Sequence, residues 1–283
     1  MTELTGDFLK NLLPHVEAAC ETAGEAILEV YHRRQGYAVS TKSDHSPVTD
    51  ADYAAHRILA PALAALLPDA PVLSEESDIP GYSERRKWQR YWLVDPLDGT
   101  KEFISGNGEF TVNVALITDD HPVLGVVHVP VTSTTYSGLR GFGASKRVNN
   151  QRQAISARPL RSEQHQPVTL ALSRRHQGEA LAPLLKQLEE EFGPLETQAV
   201  GSSLKFCMVA EGKADLYPRL GPTSEWDTAA AQAIVEAAGG LVVDRDFKPL
   251  RYNTKEGLIN PDFFVVGDPD YRWHSLLSIR AAS

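Results

Sequence analysis

The chain has 283 residues, 42% hydrophobic and 23% charged, which is the composition of a folded globular protein with one large core or two modest ones. Its net charge of −9 argues against a coat for long nucleic acids, though not against a small nucleotide held by local cations. In chain order, residues 9–31 read as an amphipathic helix with Leu9, Leu12, Leu13, Val16, Cys20, Ala23, Ile27 and Val30 on one stripe. A short strand is expected at 37–42, and Pro47-Val48-Thr49-Asp50-Ala51-Asp52 leads into a second amphipathic helix at 53–67. Thr49 and Asp50 are candidate N-caps, and Asp52 sits in the first turn, where the helix dipole favours a carboxylate. Val72-Leu73-Ser74 is a strand ending in Glu75-Glu76, and Arg85-Arg86-Lys87 with Arg90 reads as a solvated basic loop. Tyr91 to Val94 is a buried strand whose pairing should stop near Pro96.

Apolar runs near 110–118, 123–129 and 134–139 suggest antiparallel strands. The segment 149–167 lacks strong periodicity, and the domain boundary is expected there, near 155. Residues 1–155 then form an α+β lobe and 156–283 an α/β lobe, in which strands (168–172, 195–199, 213–217, 240–243, 263–266) alternate with helices (178–191, 203–211, 227–238, 270–280). Cys20 and Cys207 fall on apolar helical runs and read as buried thiols of a reducing compartment. No apolar run reaches the roughly 18 residues that a membrane span needs. Residues 1–7 lack the pattern of a secretory leader, so a cytoplasmic location is expected.

The most informative stretch is Asp95-Pro96-Leu97-Asp98-Gly99-Thr100. It ends a strand with two carboxylates on backbone restrained by a proline and a glycine. Hard cations bind such oxygens, together with a freed carbonyl such as that of Leu97. The amides after Gly99 would open a short helix and suit an anionic oxygen. A lone Asp-Gly is ordinarily an Asx turn, but five specified positions recur by chance about once in 10⁴ chains of this length. Adjacent side chains on a strand alternate faces, so of the Glu75-Glu76 pair Glu75 is the expected ligand. Asp52 serves equally well as a cap or as the acceptor that orients the Thr100 hydroxyl. Glu225-Trp226-Asp227-Thr228 opens a helix that stops at Gly239-Gly240, and Asp227 is there either a cap or a carboxylate for a second cation. Ser202 and Lys205, one helical turn apart, should share a helix face, with Arg219 as a second cation.

Together, Glu75-Glu76, Asp95-Pro96-Leu97-Asp98-Gly99-Thr100 and Trp226-Asp227, in that order, resemble the inositol monophosphatase family of magnesium-dependent, lithium-sensitive phosphatases. Lys101-Glu102 after the threonine, Asn107-Gly108-Glu109-Phe110-Thr111-Val112-Asn113, Gly201-Ser202-Ser203-Leu204-Lys205 and Tyr217-Pro218-Arg219 resemble its CysQ-type branch, the bacterial 3′(2′),5′-bisphosphate nucleotidases. The likeness runs over about residues 40–262. It implies a layered αβαβα sugar-phosphatase-like fold of the α/β class, with an antiparallel N-terminal sheet and a mixed C-terminal sheet. It also implies two or three Mg²⁺ ions: one on Glu75, Asp95 and the Leu97 carbonyl, one on Asp95, Asp98 and Asp227, and a weaker third near Glu75.

By the same resemblance Thr100, aligned by Asp52, helps deprotonate the attacking water beside Glu75. Leu97, Gly99, Thr100, Ser202, Lys205, Arg219 and His176 join Glu75, Asp98 and Asp227 in holding substrate. The implied reaction is direct hydrolysis of the 3′-phosphate of adenosine 3′,5′-bisphosphate to AMP, with 3′-phosphoadenylyl sulfate as a second candidate substrate, in sulfate assimilation. Loose attachment to the cytoplasmic face of the inner membrane stays open. The alternatives are an inositol or sugar monophosphatase with the same cation core, a non-catalytic nucleotide or metal sensor, and a two-metal exonuclease acting on short oligonucleotides.

Overall fold

The structure, a computed structural model, describes residues 3–33, 36, 38–41, 47–160, 167–174 and 181–277. Helix α1 (Gly6–Tyr31) starts at Thr5, whose hydroxyl accepts the Phe8 amide, and it buries the expected stripe from Leu9 to Val30. A two-stranded antiparallel pair, β1 (Val39–Thr41) and β2 (Pro47–Thr49), leads into α2 (Asp50–Leu66). This helix begins three residues before the expected 53 because Thr49 and Asp52 close a capping box.

A seven-stranded sheet follows in the order β3 (Val72–Ser74), β4 (Arg90–Asp98), β5 (Thr111–Thr118), β6 (His121–Val129), β7 (Thr134–Leu139), β8 (Gly143–Val148) and β9 (Gln151–Ile155). It is antiparallel from β4 onward, while β3 joins β4 in parallel. Pairing does not stop at Pro96 as expected. A bulge between Asp95 and Asp98 absorbs the proline, and Asp98 pairs again with Thr111. The β8–β9 hairpin escapes hydrophobic patterning because it is largely polar and buries only Ala144 fully. Its one local signal is the Asn149-Asn150 turn, with φ of 48° and 64°.

The second sheet runs β11 (Glu196–Val200), β10 (Thr169–Ser173), β12 (Leu216–Arg219), β14 (Phe263–Val266), β13 (Leu241–Asp244), with β10 parallel to both neighbours and β14 antiparallel to both of its own. It is mixed, as expected. Three apolar layers bind the elements together. Trp92, Val94, Val114 and Leu116 meet α1 and α2 on one face of the large sheet. Leu93, Ile117 and Val127 on the opposite face meet α6 (Leu204–Ala210) and α7 (Glu225–Ala237), which separate the sheets. Leu170 and Phe264 of the second sheet meet α5 (Leu181–Phe192) and α8 (Trp273–Leu277) on the far side. The order is α, β, α, β, α. Helix α7 lies directly on the large sheet: a Cβ on Gly125 would fall 2.1 Å from the Ala230 carbonyl oxygen, and one on Gly138 2.5 Å from Ile234 Cα.

The basic cluster is not a solvated loop throughout. Arg85, in the short helix α3 (Tyr82–Arg85), is buried and donates to Asn253 Oδ1 at 2.5 Å and to the Glu256 carbonyl. Arg90 is buried as well and faces Asp69 at 4.0 Å, whereas Arg86 and Lys87 are exposed. Cys20 and Cys207 are buried free thiols. No helix among the described residues is long and apolar enough to cross a membrane.

Candidate active site

The acidic cluster grows from three separate segments of the chain. The Glu75 amide donates to the Val94 carbonyl at 3.1 Å, which carries the β3–β4 pairing one residue beyond β3 and sets Glu75 beside Asp95. Asp95 lies at the bulge, where its Oδ1 accepts the Leu97 amide at 3.0 Å. Asp227 arrives on the first turn of α7, its Oδ2 accepting the Ser224 amide at 2.8 Å in a capping box. Carboxylate oxygens of Glu75, Asp95 and Asp227 all lie within 4.8 Å of one another. Burial, then the neighbouring acids, hold the carboxyls of Asp95 and Asp227 well above the usual carboxylate range. Such an all-oxygen set, repelling itself for want of positive charge, fits hard divalent cations.

Asp98 stands outside this tightest trio but lines the same cavity of about 430 Å³, together with Leu97, Gly99, Thr100 and Trp226. Its Oδ2 accepts from the Ser203 amide at 2.7 Å, Ser203 Oγ at 2.9 Å and Asn113 Nδ2 at 3.3 Å. Asn113 and Ser203 stand in quoted motifs, but the sequence reading gives neither a role at the site. The available signal was the alternation of Thr111 and Asn113, which places both polar side chains on one face of β5.

Gly99 takes φ of +91° and begins α4 (Thr100–Ser105); a Cβ there would crowd the Glu109 carbonyl at 3.2 Å and Ser202 Cβ at 3.3 Å. The Thr100 hydroxyl has two acceptors, Asp52 Oδ1 at 3.3 Å and the Leu97 carbonyl at 3.4 Å. The other Asp52 oxygen accepts from the Thr49 amide at 2.8 Å and its hydroxyl at 2.7 Å. Asp52 therefore caps α2 with one oxygen and faces Thr100 with the other.

A smaller cavity of about 130 Å³ shares Asp98, Gly99, Arg219 and Asp227 with the first and adds Ser202 and Lys205. The helical-turn relation expected for Ser202 and Lys205 does not hold. Ser202 precedes α6 with φ of 45°, and Lys205 Nζ instead donates back to the carbonyls of Ser202 at 2.7 Å and Val200 at 3.2 Å. Lys205 is only 5% exposed, and burial pushes its ammonium down to about 8 against the pull of Asp98, Glu102 and Glu109. Arg219, equally enclosed, donates to the Pro222 carbonyl at 2.9 Å. The Nε of Arg219 and the Oγ of Ser202 are buried without a partner. A lysine seated on carbonyls, an arginine with its Nε unpartnered and an unpartnered hydroxyl together suit an anion. His176 lies outside the described residues.

The site thus joins a cluster of carboxylates, a hydroxyl backed by a carboxylate, and a second cavity lined by Lys205 and Arg219 that shares residues with the first. The sequence profile of the inositol monophosphatase family matches residues 9–277. The chain is 50% identical over 254 residues to the 3′(2′),5′-bisphosphate nucleotidase CysQ of Escherichia coli, covering 90% of this chain and 99% of that one. It is 40% identical over 250 residues to the protein of that name from Haemophilus influenzae, covering 88% and 90%. Among solved structures, CysQ from Bacteroides thetaiotaomicron, described as a bacterial member of the inositol monophosphatase family, superposes with a TM-score of 0.78 at 39% identity, over 93% of this chain and 99% of that one. With the family profile matched over residues 9–277, a shared fold and these identities along nearly its whole length, the chain belongs to the inositol monophosphatase family.

Proposed function

We propose that this protein is an Mg²⁺-dependent 3′(2′),5′-bisphosphate nucleotidase, converting adenosine 3′,5′-bisphosphate to AMP and phosphate in sulfate assimilation, with 3′-phosphoadenylyl sulfate as a second substrate. The carrying observation is the pocket of Ser202 and Lys205 that shares Asp98, Gly99, Asp227 and the cation Arg219 with the larger, acid-lined cavity. A substrate with two phosphates has one for each. The names of the relatives support the same substrate class. The lobe of residues 1–155 contributes most cation ligands, and 156–283 contributes Asp227 and the specificity residues. A nucleotide is the partner, and the cytoplasm is the location this reading assigns.

Glu75, Asp95, the Leu97 carbonyl, Asp98 and Asp227 would hold two or three Mg²⁺ ions. When bound, these supply charge that stabilises the transferring phosphoryl group and acidifies water. Thr100 takes a proton from the attacking water at Oγ1 while its own hydrogen passes to Asp52 Oδ1, the acceptor it already faces. Thr49 holds Asp52 still during that transfer through its amide and hydroxyl. The amides that follow Gly99 receive phosphoryl oxygens. Lys205, Arg219 and Ser202 bind the phosphate that is not cleaved, and His176 joins them at the nucleotide.

Phosphate release from adenosine 3′,5′-bisphosphate and from inositol 1-phosphate, with Mg²⁺ or with a chelator, tests the assignment. Release should be fastest from the bisphosphate and should vanish with the chelator. A preference for inositol phosphate would remove the nucleotide claim, and tight nucleotide binding without release would make the protein a sensor. Asp95→Asn should fold normally and lose at least about 10²-fold in turnover, the scale of a disrupted metal site.

A further inference from the structure

Glu109 lines neither cavity, yet it is bonded to the segment that lines the smaller one. It sits in the loop before β5, where its amide donates to Asn107 Oδ1 at 2.9 Å. Both carboxylate oxygens are engaged from the other sheet's side of the cleft. Arg174, next after β10, donates its Nε to Oε2 at 2.7 Å and its Nη2 to Oε1 at 2.5 Å. The Gly201 amide donates to Oε2 at 2.8 Å. The Arg174 guanidinium, its strongest partner, holds the Glu109 carboxyl below the usual range.

Gly201 is the residue before Ser202, so Glu109 grips one end of the segment 200–203. At the other end the Ser203 amide donates to Asp98 at 2.7 Å. Pinned at both ends, Ser202 takes φ of +45°, and its carbonyl, with that of Val200, becomes the seat of Lys205 Nζ. The Arg174–Glu109 pair itself is half-exposed on the arginine side and so adds little to stability. What it does is place backbone.

We propose that Glu109 is a positioning residue for substrate choice: it sets the segment 200–203 so that Lys205 Nζ and Ser202 Oγ meet the uncleaved phosphate of a bisphosphorylated substrate. This rests on the reading of that pocket as the second-phosphate site. The test compares adenosine 3′,5′-bisphosphate with adenosine 3′-monophosphate, which shares the cleaved group and the base. Glu109→Ala should raise KM for the bisphosphate about tenfold, the worth of one lost charged hydrogen bond. Its kcat and both constants for the monophosphate should stay within about twofold of wild type. Glu109→Gln keeps an acceptor for the Gly201 amide and should recover most of the KM. Arg174→Ala, at an exposed residue and so without risk to folding, should move KM in the same direction by less. An unchanged bisphosphate-to-monophosphate KM ratio in both Glu109→Ala and Arg174→Ala, or an equal loss on both substrates, overturns the proposal. A wild-type enzyme with equal KM for the two substrates would instead overturn the second-phosphate pocket, which separates the two failures.

Discussion

Lys205 shows how one side chain acquires its chemistry from its surroundings. In sequence it is a lysine in an apolar run; in the fold it is buried and its ammonium sits at about 8. It is charged at neutrality and loses its charge as pH rises through that value, well before a free lysine would. KM for the bisphosphate should therefore climb as pH passes about 8, while KM for a monophosphate stays flat. Lys205→Arg should abolish the climb, because a guanidinium remains charged throughout; a parallel rise in that variant would place the titrating group elsewhere. Asp52 makes the complementary point. Its local sequence suited a cap and a catalytic acceptor equally, and the structure assigns one oxygen to each. Arg85 was misread because its partners, Asn253 and Glu256, lie about 170 positions away and nothing local announces them.

Elements with a buried stripe were legible, and polar ones were not. Helix α1 and strands β5 to β7 follow from hydrophobic spacing, whereas β8 and β9 expose much of their polar surface and show no alternation. Strand β6 carries a buried polar chain across to α1. Thr135 donates to Glu21 at 3.0 Å, so its oxygen accepts from His128 Nδ1, also at 3.0 Å. That bond needs a hydrogen on Nδ1, and burial, which pushes the imidazole down to about 4, keeps the ring neutral above that value. The unfolded chain takes up this proton near 6.5, and the fold resists it until about 4. Stability is then intact above 6.5 and declines as pH falls through that window, by up to roughly 3 kcal/mol at about 1.4 kcal/mol per unit. Urea midpoints measured across the window should show the decline, and His128→Gln should flatten it. An unchanged slope in the variant would assign the acid sensitivity to other groups.

At the scale of the molecule, α7 is the part that makes two sheets one site. It lies between them and delivers Asp227 to acids borne by β3 and β4. Its height over the large sheet depends on Gly125, whose Cβ would otherwise overlap the Ala230 carbonyl oxygen at 2.1 Å. Gly125→Ala should cost about 1–3 kcal/mol as an overpacked contact. By lifting α7 it should also raise the Mg²⁺ concentration needed for half-maximal phosphate release. Destabilisation with an unchanged Mg²⁺ requirement would mean that Asp227 is held from its own capping box rather than by the seat of the helix.

The amino-acid order by itself determined the strand-and-turn that presents Asp95, Asp98 and Thr100, the capping positions of Asp52 and Asp227, and the change of pattern from hairpins to alternating strands and helices. Proline and glycine dihedrals, caps and apolar spacing act over a few residues, so these features are written locally. Only the tertiary structure decided that Glu75, Asp95 and Asp227 form the close trio while Ser203 and Asn113 engage Asp98, and that Lys205 is seated on carbonyls. Those outcomes depend on which distant segments share a layer, and that is set by burying three apolar clusters at once.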